Sequence, residues 1–213
     1  ARLRALEPGA RALAVRLALL GRVLPAELVT AVAGLTEDAL LDAIDELVRT
    51  RVLVEEIADN GVRYRFAYDA IRNALSADLD ERKRAGLHLE LARRIERAFR
   101  DSRAELAHVL ARHFRYAGVP ARAVRYLMLS ARGAASRGDL EGALKRLDDA
   151  AVILETGPRS RARASRALRL LLVRLDLLLE FGRPKEALER ADPALAAHAR
   201  GPLLMKAELL LRR

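Results

Sequence analysis

The side chains of this sequence that could do chemistry are four histidines and several closely spaced charged residues. Glu105 and His108 have the Glu-x-x-His spacing of di-iron helical bundles, which also need a second such motif and two further glutamates on facing helices. Because the chain offers no second motif, we interpret this pair as solvated or helix-packing residues. His88, His113 and His198 are isolated in the sequence, and we expect them to be packing or surface residues.

Motifs that mark several enzyme classes are missing from the sequence. The chain has no cysteine, which excludes disulfides, thiolate catalysis and Cys-based zinc sites. It also has no phosphate-binding P-loop, no Gly-x-Ser-x-Gly elbow and no His-Glu-x-x-His motif. We therefore expect a chain that is not an enzyme and that holds no metal or cofactor itself.

Two groups of arginines are spaced to share one face of a helix, and each is a candidate partner-binding surface. They are Arg93, Arg97 and Arg100 in the first group, and Arg159, Arg163, Arg166 and Arg169 in the second. Guanidinium groups suit carboxylates and phosphates because they donate two parallel hydrogen bonds. Either group could instead pair with acidic neighbours inside a parent protein. The second group is the first place to look for nucleic acid, although it lacks aromatics for stacking bases.

The net charge of +10 is unevenly distributed along the chain. Residues 1–78 carry a net charge of −2, and residues 79–213 carry +12. Of the 39 basic residues 35 are arginine. This excess is compatible with a solvated basic surface or with a binding surface.

The composition of the 213 residues is that of a globular protein, with 52% apolar and 4% aromatic residues. Leu, Ala and Val must build the core, which favours helix-on-helix packing. No signal peptide is visible, and the most apolar stretch, 168–181, is interrupted by charges and too short to cross a bilayer. We expect a cytoplasmic protein. The missing initiator Met and the helical pattern at the last residues predict a piece of a longer chain.

Residues 1–78 carry the pattern of a winged-helix domain. Leucines at helical spacing predict one helix before Gly21, a second over 25–33 and a third over 36–50 with Thr36 as its N-cap. The period then changes to two, and Asn-Gly predicts the turn of a hairpin because both central residues need positive φ. In the second strand Val62, Tyr64 and Phe66 are expected to face inward, and Arg63 and Arg65 outward.

Many winged helices bind DNA through the third helix, but the charge of this one argues against that role. The segment 36–50 holds five carboxylates and one arginine, whereas a groove-inserted helix supplies Arg, Lys, Asn or Gln. Five acids would be repelled by the polyanion. We therefore expect this module to face protein, with DNA binding as the less favoured alternative.

Residues 79–213 are predicted to form an array of paired helices separated by glycines, incomplete at its C-terminal end. The predicted helices are 81–99, 103–117, 120–136, 139–155, 160–181, 184–199 and 202–212. The run that begins at Gly138 aligns with the run that begins at Gly182, at a constant offset of 44 residues. Ala143 and Ala187 occupy equivalent places in it and are expected at close helix contacts. The pattern resembles the tetratricopeptide repeat, which would make the array quasi-linear.

The order of these parts resembles the segment after the nucleotide-binding domain of bacterial STAND signal-transduction ATPases, a group that includes LuxR-type regulators. The stretches that carry the resemblance are 8–13, 31–37, 41–48, 64–72 and 104–108. It implies an upstream ATPase domain in the same polypeptide, with ATP or ADP bound there.

In that family a histidine commonly follows the hairpin, and in related eukaryotic members a His-Asp pair there senses bound ADP. Tyr68 and Asp69 match those positions here, so the resemblance marks them as candidate nucleotide-sensing residues. A phenol can donate a hydrogen bond to phosphate but cannot become cationic near neutral pH. The alternative is structural, with Asp69 capping a helix over 70–79 and Tyr68 packed in the module.

The function that these observations favour is a regulatory, protein-interaction segment of a larger signal-transduction ATPase. In this hypothesis the winged helix packs on the ATPase domain, and the helical array senses a protein or small-molecule effector. One alternative is a stand-alone tetratricopeptide-like scaffold. A DNA-binding transcriptional regulator is the other alternative, and the acidic third helix disfavours it.

Overall fold

The computed structural model describes residues 3, 5–59 and 61–197, which hold ten helices and three strands. Their order is α1 (Pro8–Leu20), β1 (Val23–Pro25), α2 (Ala26–Ala33), α3 (Glu37–Arg49), β2 (Leu53–Ala58), β3 (Gly61–Phe66), α4 (Asp69–Ala77), α5 (Glu81–Ala98), α6 (Ala107–Tyr116), α7 (Pro120–Ala135), α8 (Leu140–Thr156), α9 (Arg161–Glu180) and α10 (Pro184–Ala197). The described chain is mainly helical with one small antiparallel sheet, which confirms the expected mainly-α class. His198 and the predicted helix over 202–212 lie outside the described residues.

The chain divides into two compact units, and α6 contributes residues to each. The first unit is Ala1–Arg103 with Arg112–Gly118, and the second is Ala104–Ala111 with Val119–Arg213. The helix α5, which the sequence placed after the predicted 78/79 boundary, packs against α1 and α2 in the first unit. That boundary stays a prediction.

The sheet of the first unit has the order β1-β3-β2, with both pairs antiparallel. Its hairpin forms where the sequence places it, and β3 lies in the middle because β1 pairs with its far side. The strand β1 was not predicted from sequence, since three residues are too few to show a period. Leu24 of β1 is fully buried and pairs with Tyr64 of β3. The strand β1 therefore extends the sheet and contributes a side chain to the core.

The core of the first unit forms because the helices present aliphatic stripes to one another and to the sheet. Leu13, Ala14 and Leu17 of α1 are fully buried at helical spacing. The buried side chains that join them include Val29, Val32, Leu47, Leu53, Leu91, Ala92 and Ile95. α5 thus shares the core of the elements before it.

Several local expectations in the first unit are wrong. Val62 does not face inward but is 37% exposed, because it pairs with the exposed Ile57 towards the end of the hairpin. Tyr68, not Asp69, is the N-cap residue of α4, and no side chain caps that helix. Thr36 is the N-cap residue of α3 as predicted, but its side chain makes no capping bond.

The helices α7 to α10 of the second unit pack as consecutive neighbours around two apolar clusters. One cluster joins α7, α8 and one face of α9, and the other joins α9 to α10. Ala143 and Ala187 are 0% and 2% exposed within these clusters, which confirms their predicted burial. At both places a methyl group allows a neighbouring helix to approach closely.

Gly138 and Gly182 adopt the left-handed conformation, with φ of 82° and 70°. Gly138 lies in the short turn between α7 and α8, and Gly182 lies in the short turn between α9 and α10. A side chain at either position would meet a steric penalty in that conformation. These glycines therefore give the two helix pairs their equivalent turns, as the 44-residue offset predicts.

Candidate functional site

Tyr68 and Asp69 lie at the junction between β3 and α4, and the structure places them in different environments. Tyr68 is 63% exposed, so the expectation that it packs in the module is wrong. Asp69 begins α4 and is exposed, but its carboxylate is engaged. The hydroxyl of Tyr68 forms no hydrogen bond with another described residue, whereas the carboxylate of Asp69 binds arginine.

The carboxylate of Asp69 is held by two arginines. Arg22 approaches it with both Nε, 3.2 Å from Oδ1, and Nη2, which contacts Oδ2. Arg72 Nη2 lies 3.7 Å from Oδ1. Asp69 therefore ties the segment between α1 and β1 to the start of α4.

A small pocket of about 260 Å³ opens beside this ion-pair cluster, and its lining includes Arg22, Arg65, Phe66, Asp69 and Arg72. Three guanidinium groups on one pocket are suited to an oxyanion. Their charges are already opposed, however, because Asp69 holds two of them and Glu56 accepts a hydrogen bond from Arg65. The hydrogen bonds from the hairpin arginines, chiefly Arg65, lower the pKa of the Glu56 carboxyl. An anion would have to displace these carboxylates.

A larger and mainly apolar cleft of about 900 Å³ lies between α1 and α4. Ala70, Ala74 and Ala77 are spaced at i, i+4 and i+7 along α4 and keep this side of the cleft shallow. The other lining residues are Leu3, Arg11, Val15, Tyr68, Ile71, Leu75, Asp78 and Leu79. An open apolar surface of this kind, with polar groups at its edge, is suited to a protein side chain or helix.

The third helix of the first unit presents its carboxylates to solvent. Asp38, Asp42 and Asp45 are exposed, whereas Leu40, Ala43 and Leu47 are buried. Glu46 accepts a hydrogen bond from the backbone N–H of Glu7 at 3.0 Å. The outer face of α3 is therefore acidic, as the sequence predicts.

The structure places the arginines of the second group differently. Arg159 precedes α9 and is exposed, while Arg163 is half-buried and donates to the carbonyl oxygen of Gly157 at 3.0 Å. Arg161, which also lies on α9, has no ion pair among the described residues, and the same is true of Arg166 and Arg169. Arg163 has no ion pair there either, so the unpaired positive charge at the start of α9 lies on Arg161, Arg163, Arg166 and Arg169.

The three arginines of the first group are all exposed. Arg93 and Arg97 lie on α5, and Arg100 follows the end of that helix. Arg97 Nε donates to the carbonyl oxygen of Arg93 at 3.3 Å. These residues present positive charge to solvent.

A groove of about 550 Å³ lies between α7 and α9 in the second unit. Ala135, Val173 and Leu177 form its apolar part. The remaining lining residues are Arg132, Ser136, Asp176, Leu179 and Glu180. Charges of both signs border an apolar strip, which is compatible with a peptide or a small amphipathic ligand.

The sequence analysis missed a buried pair of histidines. His88 on α5 is 5% exposed and His113 on α6 is 0% exposed, and their Nδ1 atoms lie 2.9 Å apart. The ring of Tyr116 stacks on His88 with centroids 5.0 Å apart. His88 shares a helical stripe with Leu91, which could have indicated burial, but no sequence signal places it opposite His113. His88 and His113 are thus packing residues, as one of the two expectations had it, and the fold brings these distant residues into contact.

Burial lowers the pKa of both histidines. It lowers that of His88 from 6.5 to about 4, and the positive charges of Arg112 and Arg84 act in the same direction. It lowers that of His113 from 6.5 to about 3, with Arg112 and then His88 adding to the effect. The pair is therefore uncharged at neutral pH.

The Glu-x-x-His pair gives no sign of a metal centre. Glu105 and His108 are both exposed. Within residues 3, 5–59 and 61–197 there is no group of three or more potential ligands that could hold a metal ion.

Comparisons of this chain with protein-family models, with curated proteins and with solved structures find no match. None of the helices in the described ranges is both long and apolar enough to cross a membrane.

Proposed function

We propose that this chain is a non-catalytic regulatory segment of a larger signal-transduction ATPase of the STAND type. In this proposal the first unit contains a winged helix that packs on the ATPase domain, and α7 to α10 form a tetratricopeptide-like array that senses an effector. The observation that carries the proposal is the open apolar cleft between α1 and α4, with the exposed Tyr68 at its edge. An open, mainly apolar cleft with polar groups at its edge is suited to the side chains of a protein partner.

The arrangement of elements supports the winged-helix part of the proposal. Three helices precede a hairpin, and the short strand β1 pairs with β3 to make a three-stranded sheet. The acidic outer face of α3 favours protein over DNA, since carboxylates repel a phosphate backbone. Arg63 and Arg65 compensate little, because both donate to Glu56. We expect duplex DNA to bind weakly and without sequence preference.

Two features of the second unit support the sensing role. The equivalent turns at Gly138 and Gly182, with Ala143 and Ala187 buried behind them, fit a repeat in which each helix pair packs on its neighbours. The groove between α7 and α9 offers an effector an apolar strip bordered by charges. A switch follows if effector and nucleotide each favour one state of the contact with the ATPase domain.

Nucleotide sensing in this proposal depends on Tyr68 rather than on Asp69. The Tyr68 ring is exposed, and its hydroxyl can donate to a phosphate. Asp69 is instead committed to Arg22 and Arg72. Any ATP or ADP would be bound by the ATPase domain, since this chain has no P-loop.

The first test is the coding sequence that flanks this chain. A P-loop domain encoded upstream supports the proposal, and its absence would favour the stand-alone scaffold. With that domain in hand, its binding to the chain is measured by calorimetry for the wild type, for Ala74→Arg in the cleft and for Asn73→Arg as control. Both residues are exposed on α4, but only Ala74 lines the cleft.

Ala74→Arg should weaken binding at least about tenfold, because it places a charge in an apolar contact. Asn73→Arg should leave binding unchanged. Equal binding by all three proteins would remove the cleft from the interface and leave the proposal without its main support.

A further inference from the structure

The outer face of α3 carries unpaired negative charge. Asp38, Asp42 and Asp45 follow one another at i, i+4 and i+7, and none forms an ion pair or hydrogen bond with another described residue. Leu41, beside them, is 56% exposed, which leaves an apolar side chain between the carboxylates. Arg49 ends this stripe with one positive charge. We call Asp38, Leu41, Asp42 and Asp45 the acidic face of α3.

The start of α9 carries unpaired positive charge. Arg161 and Arg169 are exposed, Arg166 is half-buried, and none of the three has an ion pair within the described residues. No residue of α9 before Leu168 is fully buried, and of residues 161–167 only Arg163 and Arg166 are half-buried. Ala162 is exposed on the same stripe as Arg166 and Arg169, at i, i+4 and i+7. We call Arg161, Ala162, Arg166 and Arg169 the arginine face of α9.

We infer that the arginine face of α9 binds the acidic face of α3 of a second copy of this chain. Each face offers three unpaired charges, and the signs are opposite. The charged stretches are similar in length, about 10 Å on α3 and about 12 Å on α9 at 1.5 Å per residue. The faces thus match in charge and in length.

A second copy fits the arginine face better than nucleic acid does. The residues 159–170 are only Arg, Ser, Ala and Leu. They offer no aromatic ring for base stacking and no Asn or Gln for base edges. Every copy of the chain, in contrast, presents a matching carboxylate face at the same concentration.

The geometry of this contact determines how assembly proceeds. Two different faces meet, so the contact is heterologous, and a joined pair of copies keeps one face of each kind free. Assembly then continues as an open chain or closes into a ring. Exposed ion pairs are individually weak and are screened by salt, so the assembly should need high protein concentration and low ionic strength.

The test measures the mass of the full chain by sedimentation velocity and light scattering, at concentrations up to about 1 mM. At about 0.05 M salt the mean mass of the wild type should rise with concentration, and at about 1 M salt, where charges are screened beyond about 3 Å, it should return to that of one chain. A mass that stays at one chain under all conditions would overturn the inference.

Charge reversal identifies the two faces. The variants D38R/D42R/D45R and R161E/R166E/R169E should each stay monomeric, because each then has two faces of the same sign. Their equimolar mixture should assemble, because every face again meets its opposite. Reversal of three exposed arginines outside the face, R93E/R97E/R100E, is the control and should leave assembly intact. If circular dichroism shows that a triple variant is unfolded, Asp42→Arg and Arg169→Glu replace it in the same scheme.

Two results would contradict the inference. One is a mixture of folded, reversed variants that stays monomeric while the wild type assembles, since the contact would then lie elsewhere. The other is a wild type that stays monomeric but binds duplex DNA through Arg161, Arg166 and Arg169, which would assign the arginine face to a polyanion.

Discussion

The Nδ1 atoms of His88 and His113 face each other at 2.9 Å, and this contact defines where their protons lie. One Nδ1 must donate and the other must accept. The Nε2 atom of His113 is buried without a partner, so a proton there would be an unsatisfied buried donor. His113 therefore carries its proton on Nδ1 and donates it to His88, whose own proton is on Nε2. Nitrogen-15 chemical shifts of the two imidazoles should report these opposite tautomers at neutral pH.

The same pair should make stability depend on pH in mildly acidic solution. The unfolded imidazoles take up protons as the pH falls below about 6.5, whereas the folded pair stays neutral down to about 4. The stabilisation is therefore complete above pH 6.5 and is lost as the pH falls towards the folded values. Between pH 6 and 4.5 the free energy of unfolding should fall with a slope approaching about 1.4 kcal/mol per pH unit for each histidine.

Urea unfolding at a series of pH values measures this slope. The double variant His88→Phe with His113→Leu removes both imidazoles and should flatten the curve over that window, whatever its absolute stability. A wild-type curve as flat as that of the variant would mean that the pair is already protonated, or open to water, in the folded protein.

The buried alanines of the second unit can be tested by overpacking. Ala143→Leu and Ala187→Leu each add three heavy atoms at a helix contact, which should cost about 1–3 kcal/mol. The matched control is Ala167→Leu, at an exposed position of α9, and it should change the melting temperature little.

Hydrogen exchange distinguishes local damage from global damage in these variants. In a quasi-linear array exchange should quicken in the helices next to the substitution, while the β2–β3 hairpin stays protected. If both leucine variants keep the wild-type melting temperature, the two alanines do not lie at close helix contacts, and the repeat alignment loses its support.

The glycine turns can be tested with a matched pair of substitutions. Gly138→Ala places a side chain at a φ of 82° and should destabilise the chain by about 1 kcal/mol. Gly86→Ala lies within α5, where nothing is within 4 Å of the added methyl group, and it should stabilise by about 0.5–1 kcal/mol. Thermal melts should show a lower melting temperature for Gly138→Ala and a higher one for Gly86→Ala. Shifts of both melting temperatures in the same direction would contradict the role of Gly138 in the turn.

Limited proteolysis tests the boundary predicted after residue 78. The loop between α4 and α5 is short and exposed, but Arg84 Nη2 donates across it to the carbonyl oxygen of Ser76 at 2.8 Å. Because α5 also packs on α1 and α2, we expect a resistant fragment that spans this junction and includes α5. Release of a stable fragment that ends between Ser76 and Arg84 would instead support a separate domain over 1–78.

Helices and the hairpin could be predicted from the sequence because their signals are local. Apolar spacing and the glycine turns locate α7 to α10, and alternation with Asn-Gly locates β2 and β3. The strand β1 could not be predicted, since its three residues depend on pairing with β3. The place of α5 in the first unit likewise depends on tertiary contacts, which its sequence does not display.

The candidate site could be predicted only where a residue acts alone. The acidic face of α3 follows from residue types and helical spacing. The ion pair between Arg22 and Asp69 joins residues 47 positions apart, and that between Arg16 and Glu90 joins residues even further apart. A single sequence gives no sign of such distant partners. The mistaken cap at Asp69 has the same origin, since the distant Arg22 holds its carboxylate.

The helix α9 has apolar side chains on two sides. Leu170, Val173 and Leu177 pack with α7 and α8, while Leu175 and Leu178 pack with α10. A rotation of α9 about its own axis would therefore disturb both clusters at once, so the array resists twisting at this helix more than at a terminal one. We therefore expect α9 to couple the packing of α7 and α8 to that of α10, so that a change in one cluster is felt in the other.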